Sequence, residues 1–172
     1  MAELVTFDAG RNLLTVGEHR LVFHCHHYNV LLQRTVEDAL GLEAARQLQR
    51  DAAAEASAKL LGTVVTMTKP LSAQERIAQA VTVFGSLGFG AAEAQALGDE
   101  GGEVVLSTSH YALGWRAKFG RARAPVCHFA VGYFRAAVAV ATGRPVGAVH
   151  GDEVTCAAVS GEACRLRIHL AG

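Results

Sequence analysis

The feature that most constrains the fold of this chain is a set of potential metal ligands near its C-terminus. Glu153 and Cys156 are separated by two residues, and seven further residues lead to Cys164. Cys127 lies upstream, on a segment that can fold back to meet them. Zinc accepts thiolate sulfur and carboxylate oxygen, and closed sites with four ligands are usually structural. The spacing predicts a tetrahedral zinc site that pins a β-hairpin to the preceding helix; the alternative is three buried cysteines and a surface glutamate, because free cysteine often packs as a small hydrophobe.

A second cluster, His24-Cys25-His26-His27-Tyr28, holds three of the eight histidines of the chain. If this segment continues a strand, His24 and His26 share one face and can chelate a second metal ion. Alternatively, Cys25 is a reactive thiol, since a nearby imidazolium of His27 lowers a thiol pKa, and these two are then the candidate catalytic residues. The remaining alternative is that these histidines make ordinary hydrogen bonds.

Either functional interpretation of the histidine cluster needs a partner from elsewhere in the chain. The candidates for this partner are His110, Tyr111 and Trp115. We therefore expect a ligand pocket formed by the histidine cluster, including Tyr28, together with His110 and Trp115.

Length and composition limit the class of protein. The 172 residues, 51% of them hydrophobic, suit one domain spanning residues 1–172. Lys plus Arg equals Asp plus Glu at 16 each, so no nucleic-acid partner is expected. No apolar run reaches the roughly 20 residues that a membrane-spanning helix needs, and the N-terminus does not resemble a secretory signal. We therefore expect a cytoplasmic protein with no membrane partner, in which the four cysteines serve thiol or metal chemistry.

The residue pattern predicts an α+β fold in which an antiparallel sheet packs on helices. Helices are predicted from Asn29 to Leu60 with a break at Gly41, from a capping box at Ser72 to about 87, and over 125–142. Strands are predicted at 13–16, 20–23 with continuation to His26, 103–108, 153–158 and 163–170. The segment 63–68 is β-branched and is either a strand or a connector.

Several short motifs resemble the vinyl-4-reductase-type domain, a family that includes small hydrocarbon-binding proteins and the sensor domain of phenol- and xylene-responsive bacterial activators. The matching motifs are Pro125-Val126-Cys127, Gly132-Tyr133, Gly143-Arg144-Pro145, Glu153-x-x-Cys156 and Cys164-Arg165. The resemblance implies a fold like that of subunits of the vesicle-tethering transport-protein particle. It also implies zinc bound by Cys127, Glu153, Cys156 and Cys164. Finally, it implies a ligand pocket between the first helix and the region of His110, Tyr111 and Trp115, which is why these three residues are the candidates named above.

The chain departs from those sensors in two ways. The interval from Cys127 to Glu153 is about three residues longer, which brings His150 or Asp152 into competition with Glu153 as a ligand. The tryptophan that holds phenol in the sensors falls on Leu106, and no histidine lies near Arg76, where theirs is expected.

Three functions remain open on the sequence alone. The first is a zinc-containing, homodimeric protein that binds a small apolar or aromatic molecule in a pocket between helices and sheet. The second is a small metalloenzyme or thiol enzyme that uses the His24–His27 cluster. The third is a homodimeric interaction module.

Overall fold

The computed structural model describes residues 5–22, 24–66 and 71–170. Within these residues, five α-helices accompany two antiparallel sheets, which confirms the predicted α+β class. The helices are α1 (His26–Leu40), α2 (Leu42–Thr66), α3 (Ala73–Ser86), α4 (His110–Phe119) and α5 (His128–Thr142). The strands are β1 (Val5–Asp8), β2 (Leu13–Val16), β3 (His19–Leu21), β4 (Ala92–Gly98), β5 (Gly101–Leu106), β6 (Val149–Thr155) and β7 (Cys164–Leu170).

The N-terminal sheet is a meander in the order β1-β2-β3, and β1 was not predicted from the sequence. Val16 of β2 is completely buried, and the His19 ring contacts Thr63 Oγ1 of α2 at 2.7 Å through Nε2. Strand β3 begins at His19 and ends at Leu21, and Phe23 lies outside the described residues.

The prediction that β3 continues through the histidine cluster is wrong, because α1 begins at His26. The carbonyl oxygen of Cys25 accepts the backbone N–H groups of Tyr28 at 3.1 Å and of Asn29 at 3.4 Å. Cys25 therefore occupies the N-cap position, and the helix begins before its predicted start at Asn29, although the Cys25 side chain makes no capping hydrogen bond. His26 and His27 are helical, so His24 and His26 do not share a strand face.

The predicted break at Gly41 is confirmed, since this residue has a φ of 78° and separates α1 from α2. Helix α2 continues to Thr66, so the β-branched residues 63–66 are helical, while 67–68 lie outside the described residues. Helix α2 as a whole packs closely on α5, and such tertiary contact outweighs the low helix propensity of β-branched residues. A Cβ at Gly132 of α5 would lie 2.2 Å from the carbonyl oxygen of Arg50.

The predicted start of α3 is confirmed by a complete capping box. The Ser72 hydroxyl accepts the backbone N–H of Glu75 at 3.3 Å, and the Glu75 carboxylate accepts the backbone N–H of Ser72 at 2.8 Å. These two bonds satisfy N–H groups that would otherwise lack a partner in the first turn.

The larger sheet has the order β4-β5-β7-β6, and α5 packs between this sheet and α2. Helix α5 is buried on nearly every side, including Arg135 and the ring of His128. Strand β6 begins at Val149 and ends at Thr155, so the predicted strand 153–158 is placed too late along the chain. Strand β4 and helix α4 were not predicted, and α4 lines the cavities described below.

Candidate functional site

The four predicted metal ligands meet at one point. One ligand atom from each of Cys127, Glu153, Cys156 and Cys164 lies within 4.8 Å of the other three, and all four residues are buried. Cys127 occupies the N-cap position of α5, Glu153 lies on β6, Cys156 directly follows β6, and Cys164 begins β7. We call these residues the cysteine–glutamate cluster.

Strand alternation decides which residue of β6 enters the cluster. Residues of β6 alternate between buried and exposed positions, and Glu153 is on the buried face. His150 and Asp152 are on the opposite face, where Asp152 pairs with Arg50 at 3.0 Å and the His150 ring faces that of His169. Competition from His150 or Asp152 for the ligand position is therefore excluded by the pleat of the strand.

Hydrogen bonds hold the cluster in place. The backbone N–H of Cys127 donates to Glu153 Oε2 at 2.8 Å, and the backbone N–H of Ala157 donates to Cys164 Sγ at 3.2 Å. Ser109 Oγ lies 3.1 Å from Cys127 Sγ, and the sulfur atoms of Cys127 and Cys164 are 3.6 Å apart. Glu153 Oε1 is buried and has no hydrogen-bond partner. Such outer contacts orient ligands and are typical of metal sites.

Burial of four acids together perturbs their pKa values strongly. Burial and the negative charge of Cys156 raise the pKa of Glu153 to about 8. Hydrogen bonds from Cys127 and Cys164 lower the pKa of Cys156, whereas hydrogen bonding to Cys156 and burial raise the pKa of Cys127. Four buried acids cannot all ionise without a positive charge among them. A cation would supply that charge and a partner for Glu153 Oε1, so this donor set fits a metal ion.

A cavity of about 430 Å³ lies near the cluster, and we call it the aromatic pocket. Its walls come from the segment before α1, from α1, the α3–β4 turn, α4 and α5. The lining residues are Val22, His24, Tyr28, Asn29, Leu32, Leu87, Gly88, Phe89, His110, Tyr111 and Phe129.

Aromatic rings form one wall of the aromatic pocket. Phe89 and Phe129 stack with ring centroids 4.1 Å apart, and Tyr111 lies 6.1 Å from Phe129. The polar part of the lining is a contact between Asn29 Nδ2 and His110 Nε2 at 3.2 Å. Burial, followed by the positive charge of His26, lowers the pKa of His110 and so favours the neutral ring.

The aromatic pocket and the cysteine–glutamate cluster share two short segments of chain. Ser109, whose hydroxyl contacts Cys127 Sγ, caps α4, and His110 follows it directly. Phe129 is two residues beyond Cys127 at the start of α5. A metal ion in the cluster would therefore fix two elements that line the pocket.

The predicted ligand-binding residues are divided among three places. His24 and Tyr28 line the aromatic pocket, with ring centroids 4.3 Å apart, and His110 lines it too. His26 lines an adjoining cavity of about 420 Å³. Trp115 lies in a separate cleft, where the Arg34 guanidinium is 5.9 Å from its ring centroid.

Cys25 and His27 are exposed and are not among the residues that line either the aromatic pocket or its neighbour. Within the ranges that the structure describes, the cysteine–glutamate cluster is the one group of three or more potential ligands close enough to share an ion. The histidine cluster therefore has no third ligand there for a second metal.

Sequence reasoning did not identify Asn29, Phe89 or Phe129 as pocket residues. Phe129 follows the Cys127 motif by two positions, which was a usable signal, whereas Phe89 gave none because it lies in a glycine-rich turn. Leu106, onto which the sequence resemblance placed a tryptophan of the sensors, is 1% exposed and belongs to the apolar core.

Among the described residues, none of the helices combines the length and the apolar character that crossing a bilayer requires. No family model matches this chain, and no curated protein is similar to it. Thirteen chains of solved structures are similar to it, among them the following two. The phenol-responsive sensory domain of the transcription activator PoxR, in complex with phenol, superposes with a TM-score of 0.87 at 20% identity, over 98% of this chain and 86% of that one.

The second similar structure is trafficking protein particle complex subunit 3 from Naegleria fowleri, covalently bound to palmitic acid. It superposes with a TM-score of 0.58 at 10% identity, over 86% of this chain and 95% of that one. The chain therefore has the fold of the phenol-responsive sensory domain and, more distantly, that of the trafficking-particle subunit, as the sequence resemblance predicted.

Proposed function

We propose that this chain is a small-molecule-binding domain that holds an apolar or aromatic ligand in the aromatic pocket. We also propose that the cysteine–glutamate cluster binds zinc as a structural ion. The observation that carries both proposals is the shared construction of the two sites, in which Ser109 and Cys127 are in contact and His110 and Phe129 extend from them into the pocket.

The pocket has the properties of a small-molecule site. Its volume of about 430 Å³ lies in the usual range, and stacked aromatic rings surround one pair of polar side chains, Asn29 and His110. Two proteins of the same fold hold apolar molecules, phenol in one and palmitic acid in the other. Because Leu106 belongs to the packed core here, we place the ligand in the outer, aromatic pocket.

Zinc is the metal that the donor set favours. Three thiols and one carboxylate suit a four-ligand zinc site, and the burial of all four residues suits a structural role. A bound zinc ion would attach the start of α5 to the β6–β7 hairpin. Hydrogen bonds from the protein would orient two of the sulfur atoms. The Ser109 hydroxyl contacts Cys127 Sγ, and the backbone N–H of Ala157 donates to Cys164 Sγ.

Ligand titration tests the pocket. Calorimetric titration with phenol and with benzamide should show binding to the wild-type protein. The Phe129→Ala variant should bind at least about tenfold more weakly, because it removes a buried ring face. Phe119→Ala is the matched control, since Phe119 lines the separate cleft with Trp115, and its affinity should be unchanged. No binding of either compound, or equal losses in both variants, would contradict the proposal.

Elemental analysis of the purified protein tests the metal site. We expect one zinc ion per chain, lost in Cys156→Ser together with much of the stability, because the binding energy of a structural ion is folding energy. Cys25→Ser is the control, since Cys25 is exposed and is not one of the four clustered residues. Zinc retained at full stoichiometry and unchanged stability in Cys156→Ser would contradict this assignment.

We also propose that the chain forms a homodimer. Large apolar side chains are exposed along α1 and at the start of α2, and a second copy of the chain would cover them. These side chains are Tyr28, Leu31, Leu32, Leu40, Leu42 and Leu48. Light scattering at micromolar concentration should give twice the mass of one chain. The Leu31→Glu variant should give the mass of a single chain.

A further inference from the structure

A second cavity adjoins the aromatic pocket. It has a volume of about 420 Å³, and its lining residues are His26, Gly88, Gly90, Thr108, His110, Leu113, Gly114 and Ala117. We call it the glycine-lined cavity. Gly88 and His110 belong to the lining of both cavities, so the two spaces meet at these residues.

Polar side chains are concentrated where the two cavities meet. Asn29 Nδ2 lies 3.2 Å from His110 Nε2, and the rings of His26 and His110 are 6.4 Å apart in an edge-to-face arrangement. Asn29 and His26 are separated by one turn on the same face of α1, with His110 of α4 opposite them. This row of polar groups separates an aromatic wall from an apolar one.

Two glycines of the second cavity, Gly90 and Gly114, are required by close packing. Gly90 has a φ of 133°, and a Cβ there would lie 2.2 Å from the carbonyl oxygen of Thr108. A Cβ at Gly114 would lie 2.8 Å from Val30 Cγ2. These walls therefore carry no side chains that could fill the space, while Leu113 supplies an apolar rim.

We propose that the two cavities form one continuous site for an elongated ligand, in which a hydrogen-bonding group joins two apolar parts. One part, an aromatic ring, lies against Phe89 and Phe129. The central group, an amide or a group of similar polarity, meets Asn29 and His110, and the second apolar part occupies the glycine-lined cavity. This inference rests on the proposed function, because it assigns a ligand class to the same pocket.

A pair of matched compounds tests the inference. Benzamide has one ring and an amide, and N-benzylbenzamide adds a second ring on the far side of that amide. Burial of the added ring should make N-benzylbenzamide bind the wild-type protein at least about tenfold more tightly. Ala117→Trp should abolish this preference without weakening benzamide, because Ala117 lines only the glycine-lined cavity. Lys118→Trp, one residue further along α4 and outside both linings, should keep the preference.

The outcomes separate this inference from the proposed function. If phenol or benzamide binds but the second ring adds nothing, or if Ala117→Trp keeps the preference, the inference is overturned and the proposed function stands. If phenol binds and neither amide does, the inference is likewise overturned. If none of the three compounds binds, both proposals are overturned.

Discussion

Replacement of Glu153 by glutamine should affect the metal-free protein and the zinc-bound protein differently. In the metal-free protein, burial raises the pKa of this carboxyl group to about 8, so the group is protonated near pH 7. Glutamine has the same shape and keeps an oxygen that accepts the backbone N–H of Cys127, which is now 2.8 Å from Oε2. Glu153→Gln should therefore change the free energy of unfolding of the metal-free protein by less than about 1 kcal/mol at pH 4, where the carboxyl group is protonated in the unfolded chain as well, and should stabilise the metal-free protein at pH 7, where the unfolded wild-type chain is ionised.

The zinc-bound form should respond very differently. Structural zinc contributes about 10–16 kcal/mol in small domains, so one ligand of four accounts for about 3 kcal/mol, or about a hundredfold in affinity. Competition with a chromophoric chelator at pH 7 measures that ratio directly. Glu162→Gln, an exposed glutamate in the loop between β6 and β7, is the matched control and should not change zinc affinity.

The stability of the metal-free protein should depend on pH through Glu153. Because the pKa of Glu153 rises from 4.5 to about 8 on folding, its stabilising contribution is complete below 4.5 and is lost as the pH rises through 8. Metal-free Glu153→Gln lacks this loss, so its stability relative to the wild-type protein should increase between pH 5 and pH 9. Equal zinc affinities of the wild-type protein and Glu153→Gln would refute the reasoning. So would a metal-free Glu153→Gln protein that is less stable than the metal-free wild type by more than about 2 kcal/mol at pH 7.

Three further predictions follow from the surroundings of the two sites. Ser109→Ala should weaken zinc binding about tenfold to a hundredfold by chelator competition, because Cys127 Sγ loses its hydroxyl partner; Ser109→Thr should preserve most of the affinity. Gly132→Ala should lower the free energy of unfolding by more than about 3 kcal/mol in urea denaturation, since its Cβ would collide with the backbone of Arg50, and near-wild-type stability would contradict this packing. Burial lowers the pKa of His110, so the unfolded chain binds a proton that the folded protein does not. The free energy of unfolding should therefore fall as the pH drops below 6.5. His110→Gln should make the free energy of unfolding depend less on pH in this range, as measured by urea denaturation at several pH values.

The cysteine–glutamate cluster shows what local sequence patterns can predict. The spacing of Glu153, Cys156 and Cys164 predicted a hairpin site, and the motif around Cys127 supplied the fourth position. The structure brings all four together. The four side chains meet because three of the residues belong to one hairpin, whose strands return the chain to the same point with little dependence on the rest of the fold; zinc binding there stays a prediction.

The histidine cluster shows where the same approach fails. Alternation along a strand was assumed through His26, yet α1 begins there, and the helix separates the rings that the strand would have aligned. The local preference for strand or helix between β3 and α1 involves only a small difference in free energy, and the packing of α1 against α4 outweighs that difference. The mutual position of Asn29 and His110 depends on the same packing, since the two residues are 81 positions apart.

The amino-acid sequence alone determined the α+β class, the break at Gly41, the capping box of α3 and the identity of the four potential metal ligands. Each of these depends on interactions between residues close in the chain, or on side-chain chemistry that does not change with the fold. Only the tertiary structure decided that Glu153 faces inward while His150 and Asp152 face outward, and that two cavities meet at His110. Those features depend on the register of strands and the packing of distant helices, whose energies are sums over many contacts that no local pattern contains.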